Sequence, residues 1–145
     1  TVVSLSKDLK LAYRTYYRLM IELMMIPFFN EEYDEFQQRF RYLFPKMAKG
    51  EIDTYVLRLI EWSDFFKYSE KFSEQEYDLI VVSLKYYLPE PFEVRKDNIT
   101  EAYQRAYTNL ILSYVYTSME DENQADIYEM HQWDLLREIV QLENK

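Results

Sequence analysis

Cysteine is absent from this 145-residue chain, glycine occurs once, histidine once and proline four times. Without cysteine there is no disulfide, no thiolate nucleophile and no cysteine-ligated zinc, and a reducing compartment, by default the cytoplasm, is expected. Sandwiches and barrels need a turn-forming residue roughly every ten positions, so this composition argues against an all-β fold. Glycine-rich phosphate loops and the Gly-x-Ser-x-Gly elbow need several glycines for close backbone approach, and Gly50 stands alone. A di-metal carboxylate bundle needs paired Glu-x-x-His motifs. His131 has Tyr128 three residues before it, and nothing marks a serine partner for a histidine-based triad. The sequence therefore offers no catalytic residue, no metal ligand and no cofactor site, and a non-enzymatic role is expected.

Long apolar runs are also lacking. The longest, from Leu19 to Phe29, is broken by Glu22 and Pro27 and is far short of the roughly 20 residues that cross a bilayer. Lys7, Lys10, Arg14 and Arg18 precede it, but no small-residue cleavage site follows, so it does not read as a signal peptide. No membrane association is expected. The chain begins Thr-Val-Val rather than with Met, as a trimmed chain or part of a longer protein would.

What is abundant is aromatic: 15 Tyr and 9 Phe in a chain that is 48% hydrophobic. That is enough apolar surface to offset the entropy of ordering, and the length suits a single domain over 1–145. The net charge of −9 is uneven. Residues 1–50 hold 8 basic and 6 acidic side chains, leaving 9 and 20 in residues 51–145. The later part repels phosphate, so nucleic-acid binding through it is electrostatically opposed.

Apolar periodicity predicts about six amphipathic helices, an all-α fold built as a bundle or as a helical-hairpin array. Leu5, Leu9, Tyr13, Tyr16, Met20 and Leu23 share one face of a first helix over 6–25. Pro27 and Asn30 separate it from a second over 31–44, with Tyr33, Phe36, Phe40 and Leu43 or Phe44 as its stripe and Pro45 as its end. Gly50 precedes a third over 51–68, whose face runs Ile52, Val56, Leu59, Ser63, Phe66 with Trp62 beside it. Ser73 to Glu76 reads as a capping box stapled by Phe72 and Tyr77 and opens a fourth helix that stops at Pro89. The segment Pro89 to Phe92 is expected to be extended. Asn98 or Thr100 caps a fifth helix carrying Tyr103, Tyr107, Leu110 and Tyr114, and Asp121 with Gln124 caps a sixth carrying Tyr128, Leu135, Ile139 and Leu142. Glu32, Tyr33, Asp34, Tyr42 and Pro45 recur 44 residues later as Glu76, Tyr77, Asp78, Tyr86 and Pro89, a period in the range of helical-hairpin repeats.

By elimination, these features point to a helical protein-interaction or regulatory module, with a homo-oligomer open to it. Two alternatives stand beside it: a ligand- or peptide-sensing domain of a transcriptional regulator, and an acidic inhibitor that imitates DNA. Two candidate sites follow. Glu120, Asp121 and Glu122 form either a linker that favours the start of the sixth helix through its dipole or a docking patch for a protein with a basic surface. Tyr103, Tyr107 and Tyr114 either line a ligand pocket or belong to the core. A cavity of roughly 300 Å³ or more would favour the sensor, and an exposed aromatic patch the protein partner.

Overall fold

A computed structural model describes residues 5–50, 52–69 and 71–144. Among them are six α-helices, α1 (Lys7–Phe29), α2 (Tyr33–Ala48), α3 (Tyr55–Tyr68), α4 (Glu74–Lys85), α5 (Ile99–Ser118) and α6 (Glu122–Glu143). Single 3-10 turns at Ile52–Thr54 and Lys96–Asn98 lead into α3 and α5, and the described residues include no strand. The fold is all-α. The chain forms two compact units, Thr1–Phe65 and Phe66–Lys145.

Aromatic stacking builds the core of the first unit. Phe28 meets Phe36 edge-on at 5.0 Å, Phe36 meets Phe40 at 5.5 Å, and Phe40 stacks on Phe44 at 4.8 Å. The series passes to α3 through Phe44 and Trp62 at 6.3 Å, then Trp62 and Phe65 at 6.2 Å. Such offset and edge-to-face pairs add to area burial. Polar links join the same helices. Tyr17 Oη lies 2.9 Å from Thr54 Oγ1 in a buried hydrogen bond, and Arg14 donates to Glu61 at 2.7 Å and Asp64 at 3.2 Å.

Prolines 27 and 45 do not end their helices; α1 runs four residues past the predicted end and α2 four past Phe44. A proline inside a helix removes one N–H and strands the carbonyl four residues earlier. In α1 that carbonyl belongs to Leu23, and Arg39 Nη1 of α2 donates to it at 2.9 Å. A tertiary contact has replaced the lost helical bond.

The end of α1 is a Schellman motif, with Glu31 N–H donating to Phe28 and Glu32 N–H to Pro27. Glu31 occupies the left-handed position at φ 60°, where glycine is usual. The end of α5 repeats it, with Glu120 at φ 62° and bonds from Glu120 to Thr117 and from Asp121 to Tyr116. A chain with a single glycine has placed glutamate at both. Glu31→Gly is therefore expected to raise unfolding free energy by roughly 0.5–1 kcal/mol, as relief of left-handed strain outweighs the greater freedom of the unfolded chain. Urea melts that coincide would show the position to be unstrained.

The predicted face of the third helix is rotated in the structure. Val56 is exposed, and Tyr55, Arg58, Leu59, Trp62, Phe65 and Phe66 are buried; the side chain of Ile52 lies outside the described residues. Arg58 accounts for the difference. Its Nη1 donates to the Met47 carbonyl and its Nη2 to that of Gly50 at 3.1 Å, so a charged side chain enters the apolar face to satisfy the end of α2. A Cβ on Gly50 would come within 2.7 Å of Arg58 Cζ, so only glycine leaves room for the guanidinium as it lies.

In the second unit α4 opens with the capping box the sequence predicts. Glu76 N–H donates to Ser73 Oγ at 3.2 Å, Ser73 N–H donates to Glu76 Oε1 at 2.9 Å, and Phe72 packs on Tyr77 at 5.4 Å. Asn98 caps differently from the expectation. Its amide organises the loop before α5, accepting from Arg95 N–H at 2.7 Å and donating to the Glu93 carbonyl at 2.8 Å. The segment Pro89 to Phe92 has no regular structure, and the Glu90–Pro91 bond is cis. Helix α5 supplies most of this unit's core, including Ala102, Ala106, Tyr107, Ile111, Leu112 and Val115, and packs along α6.

The 44-residue offset continues beyond the sequence match. It carries the turn Ile52–Thr54 onto Lys96–Asn98 and the first residue of α3 onto that of α5. Phe36 and Phe40 correspond to Ile80 and Leu84, all buried, and Tyr42 and Tyr86 are both exposed. The correspondence fails at the prolines, because Pro45 lies inside α2 whereas α4 ends at Lys85, before Pro89.

Candidate functional site

Two features of the structure are candidates, one in each unit. The first is the outer side of α1. Leu5, Leu9, Ala12, Tyr16, Leu19, Leu23 and Ile26 recur every four and three residues, the spacing of a coiled-coil seam. The opposite side of the helix carries Tyr17, Met20, Ile21, Met24, Met25 and Phe28 into the core. Leu9 is 43% exposed, Leu23 48%, Ile26 49%, Leu19 53% and Tyr16 56%. The predicted stripe mixed the two sides, since Met20 is buried while Leu9, Tyr16 and Leu23 face outward. At a rise of 1.5 Å per residue the seam extends about 30 Å.

The second is a cavity of about 430 Å³ in the second unit. The end of α4 contributes Lys85, the following loop Leu88, Glu90 and Phe92, and α5 contributes Arg105 and Asn109. Helix α6 closes it with Tyr128, His131, Asp134, Leu135 and Glu138. Arg105 is 8% exposed. Its Nη1 donates to the Pro89 carbonyl at 2.7 Å, its Nη2 to Glu90 at 3.0 Å, and its guanidinium lies 4.3 Å over the Phe92 ring. Its Nε is buried without a hydrogen-bond partner. Burial lowers the Arg105 pKa from its ordinary value, opposed by the Glu90 carboxylate. Burial also works against the Lys85 ammonium, but the phenols of Tyr128 and Tyr116 outweigh it and raise that pKa.

None of Tyr103, Tyr107 and Tyr114 lines this cavity. On a helix turning 100° per residue they stand about 160° round α5 from Arg105 and Asn109. Tyr107 is fully enclosed and belongs to the core. Tyr103 and Tyr114 are half-buried; burial raises both pKa values, helped by Glu143 beside Tyr103 and Glu129 beside Tyr114.

The acidic trio is the joint between α5 and α6. Glu120 takes the left-handed position and pairs with Lys71, Asp121 caps α6 by accepting from Gln124 N–H at 3.2 Å, and Glu122 lies in the first turn of α6. No motif or spacing marked the cavity residues. Arg105 and Asn109 are polar positions on the far side of a tyrosine stripe, and His131 reads as an exposed residue of α6.

Among the described residues no cluster of three or more His, Asp or Glu is arranged to hold a metal ion, and no helix is long and apolar enough to cross a membrane. Compared with protein-family models, curated proteins and solved structures, the chain matches none.

Proposed function

We propose that this chain is a non-enzymatic protein-interaction module whose first unit pairs the outer seam of α1 with an amphipathic helix of a partner protein. The observation that supports this is the heptad-spaced row from Leu9 to Ile26, which stays exposed on a helix whose other side is already committed to a core. Contiguous apolar surface of several hundred Å² is uncommon on a monomer and marks interaction sites. A continuous 3-4 spacing over the helix suits another helix, because knobs on one seam then meet holes on the other at every turn. Charge narrows the partner. Arg14 is held by Glu61 and Asp64 and Arg18 by Glu22, which leaves Lys7 and Lys10 against Asp8 at the start of α1, so the positive end that steers an acidic flank lies in the first turns of the helix. The cavity in the second unit favours an additional small-molecule role.

A photo-crosslinking amino acid in place of Leu19, with adducts sequenced by mass spectrometry, tests the reading. One dominant adduct is expected, mapping to an amphipathic helix and falling at least about tenfold when Tyr16 and Leu23 are both changed to glutamate. Circular dichroism should stay unchanged, since both side chains already face outward. Adducts that map to this chain itself would make the seam a self-association surface. Yields indifferent to the two glutamates would overturn the proposal.

A further inference from the structure

The cavity of the second unit is walled by side chains of both signs, which restricts what it accepts. Lys85, Arg105 and His131 stand against Glu90, Asp134 and Glu138. Arg105 is paired with Glu90, and Asp134 with Arg137 outside the wall. Lys85, His131 and Glu138 remain, and among the described residues none of the three makes an ion pair; Lys85 and Glu138 are the two of fixed opposite charge. Apolar surface from Leu88, Phe92 and Leu135 lies in the same cavity.

Arg105 shows which group is wanted. A guanidinium taken out of water must be repaid by hydrogen bonds and an opposing charge. Here one Nη is bound to a carbonyl, Nε has no partner, and the carboxylate on the other Nη belongs to Glu90, whose side chain is 75% exposed. An exposed glutamate that gives up its ion pair returns to water, and Arg105 stays compensated as long as another carboxylate takes the same place. A ligand carboxylate can take its place on Arg105. A plain anion, however, is repelled at long range by a protein of charge −9, and it leaves Glu138 without a counter-charge. A molecule that brings its own ammonium answers both objections.

The geometry points to a binding site for a small zwitterion, an α-amino acid or dipeptide with an apolar side chain. Its carboxylate replaces that of Glu90 on Arg105, with Lys85 in the same wall, and its ammonium meets Glu138. A volume of about 430 Å³ lies within the range of small-molecule pockets, roughly 300–1,000 Å³, and the apolar wall receives the side chain. The site rests on the second unit alone and stands or falls independently of the α1 seam.

Calorimetric titration of the full chain with leucine, phenylalanine and leucyl-phenylalanine, beside the N-acetylated and C-amidated dipeptide, tests this. At least one of the three zwitterions should bind one-to-one with a Kd below about 1 mM, and the doubly blocked dipeptide at least about tenfold more weakly, having lost both charges. Lys85→Met and Glu138→Gln, both at exposed positions, should each weaken binding about fivefold or more with an unchanged melting temperature. Arg105→Gln should abolish it, and the two exposed variants separate lost binding from lost folding. The inference is overturned if no zwitterion binds, if the blocked dipeptide binds equally well, or if affinity survives both exposed substitutions.

Discussion

Tyr107→Ala is expected to lower unfolding free energy by about 3–5 kcal/mol, a large share of the roughly 5–15 kcal/mol that holds a domain folded. The ring is fully enclosed, on a helix whose Ala102, Ala106, Ile111 and Leu112 are completely buried as well. A closely packed surrounding relaxes only partly into the vacated space, so the cavity term adds to the lost transfer energy. Urea unfolding at unchanged slope measures the effect. A loss under about 1 kcal/mol would place Tyr107 in a compliant site. Because Arg105 and Asn109 point round the other side of α5, any zwitterion bound in the cavity should still bind the folded fraction of this variant.

Arg58→Met is expected to cost about 2–4 kcal/mol, and Arg58→Lys nearly as much. The guanidinium spans the carbonyls of Met47 and Gly50, and removing it takes a charged donor from both, leaving Met47 with the Gly50 N–H alone; a lost bond to a charged group costs about 1.5–3 kcal/mol. Lysine keeps the charge but not the planar fork that reaches two oxygens at once. Chemical denaturation of both variants separates charge from geometry. A lysine variant as stable as the parent would show that a point charge at the helix end is sufficient. Gly50→Ala should give a milder version of the same loss, since its Cβ pushes the fork aside.

The helix starts were readable where a local hydrogen bond sets them. Ser73 with Glu76 and Asp121 with Gln124 are complete within four residues, so sequence spacing contains the whole interaction. Helix ends at prolines were misread for the converse reason. Pro27 is tolerated because Arg39, 16 residues away from Leu23, supplies the missing donor, and no local pattern carries that information. The rotated face of α3 has the same origin, as an arginine buried against two distant carbonyls outweighs the apolar periodicity that left Trp62 beside the face.

Composition and periodicity alone determined the all-α class and six helices, and they left no residues for a glycine-rich, thiol or paired-histidine site. They also showed that Phe36, Phe40 and Phe44 form one stripe, because a single helix repeat places them together whatever lies opposite. Tertiary structure decided which side of a doubly apolar helix is covered, setting Met20 and Met24 inward and Leu19 and Leu23 outward on α1. It also gathered Lys85, Arg105 and Glu138 from three helices round one cavity. Periodicity records only angles about a single helix axis, and burial and cavities depend on the distance between axes, which arises only when helices pack.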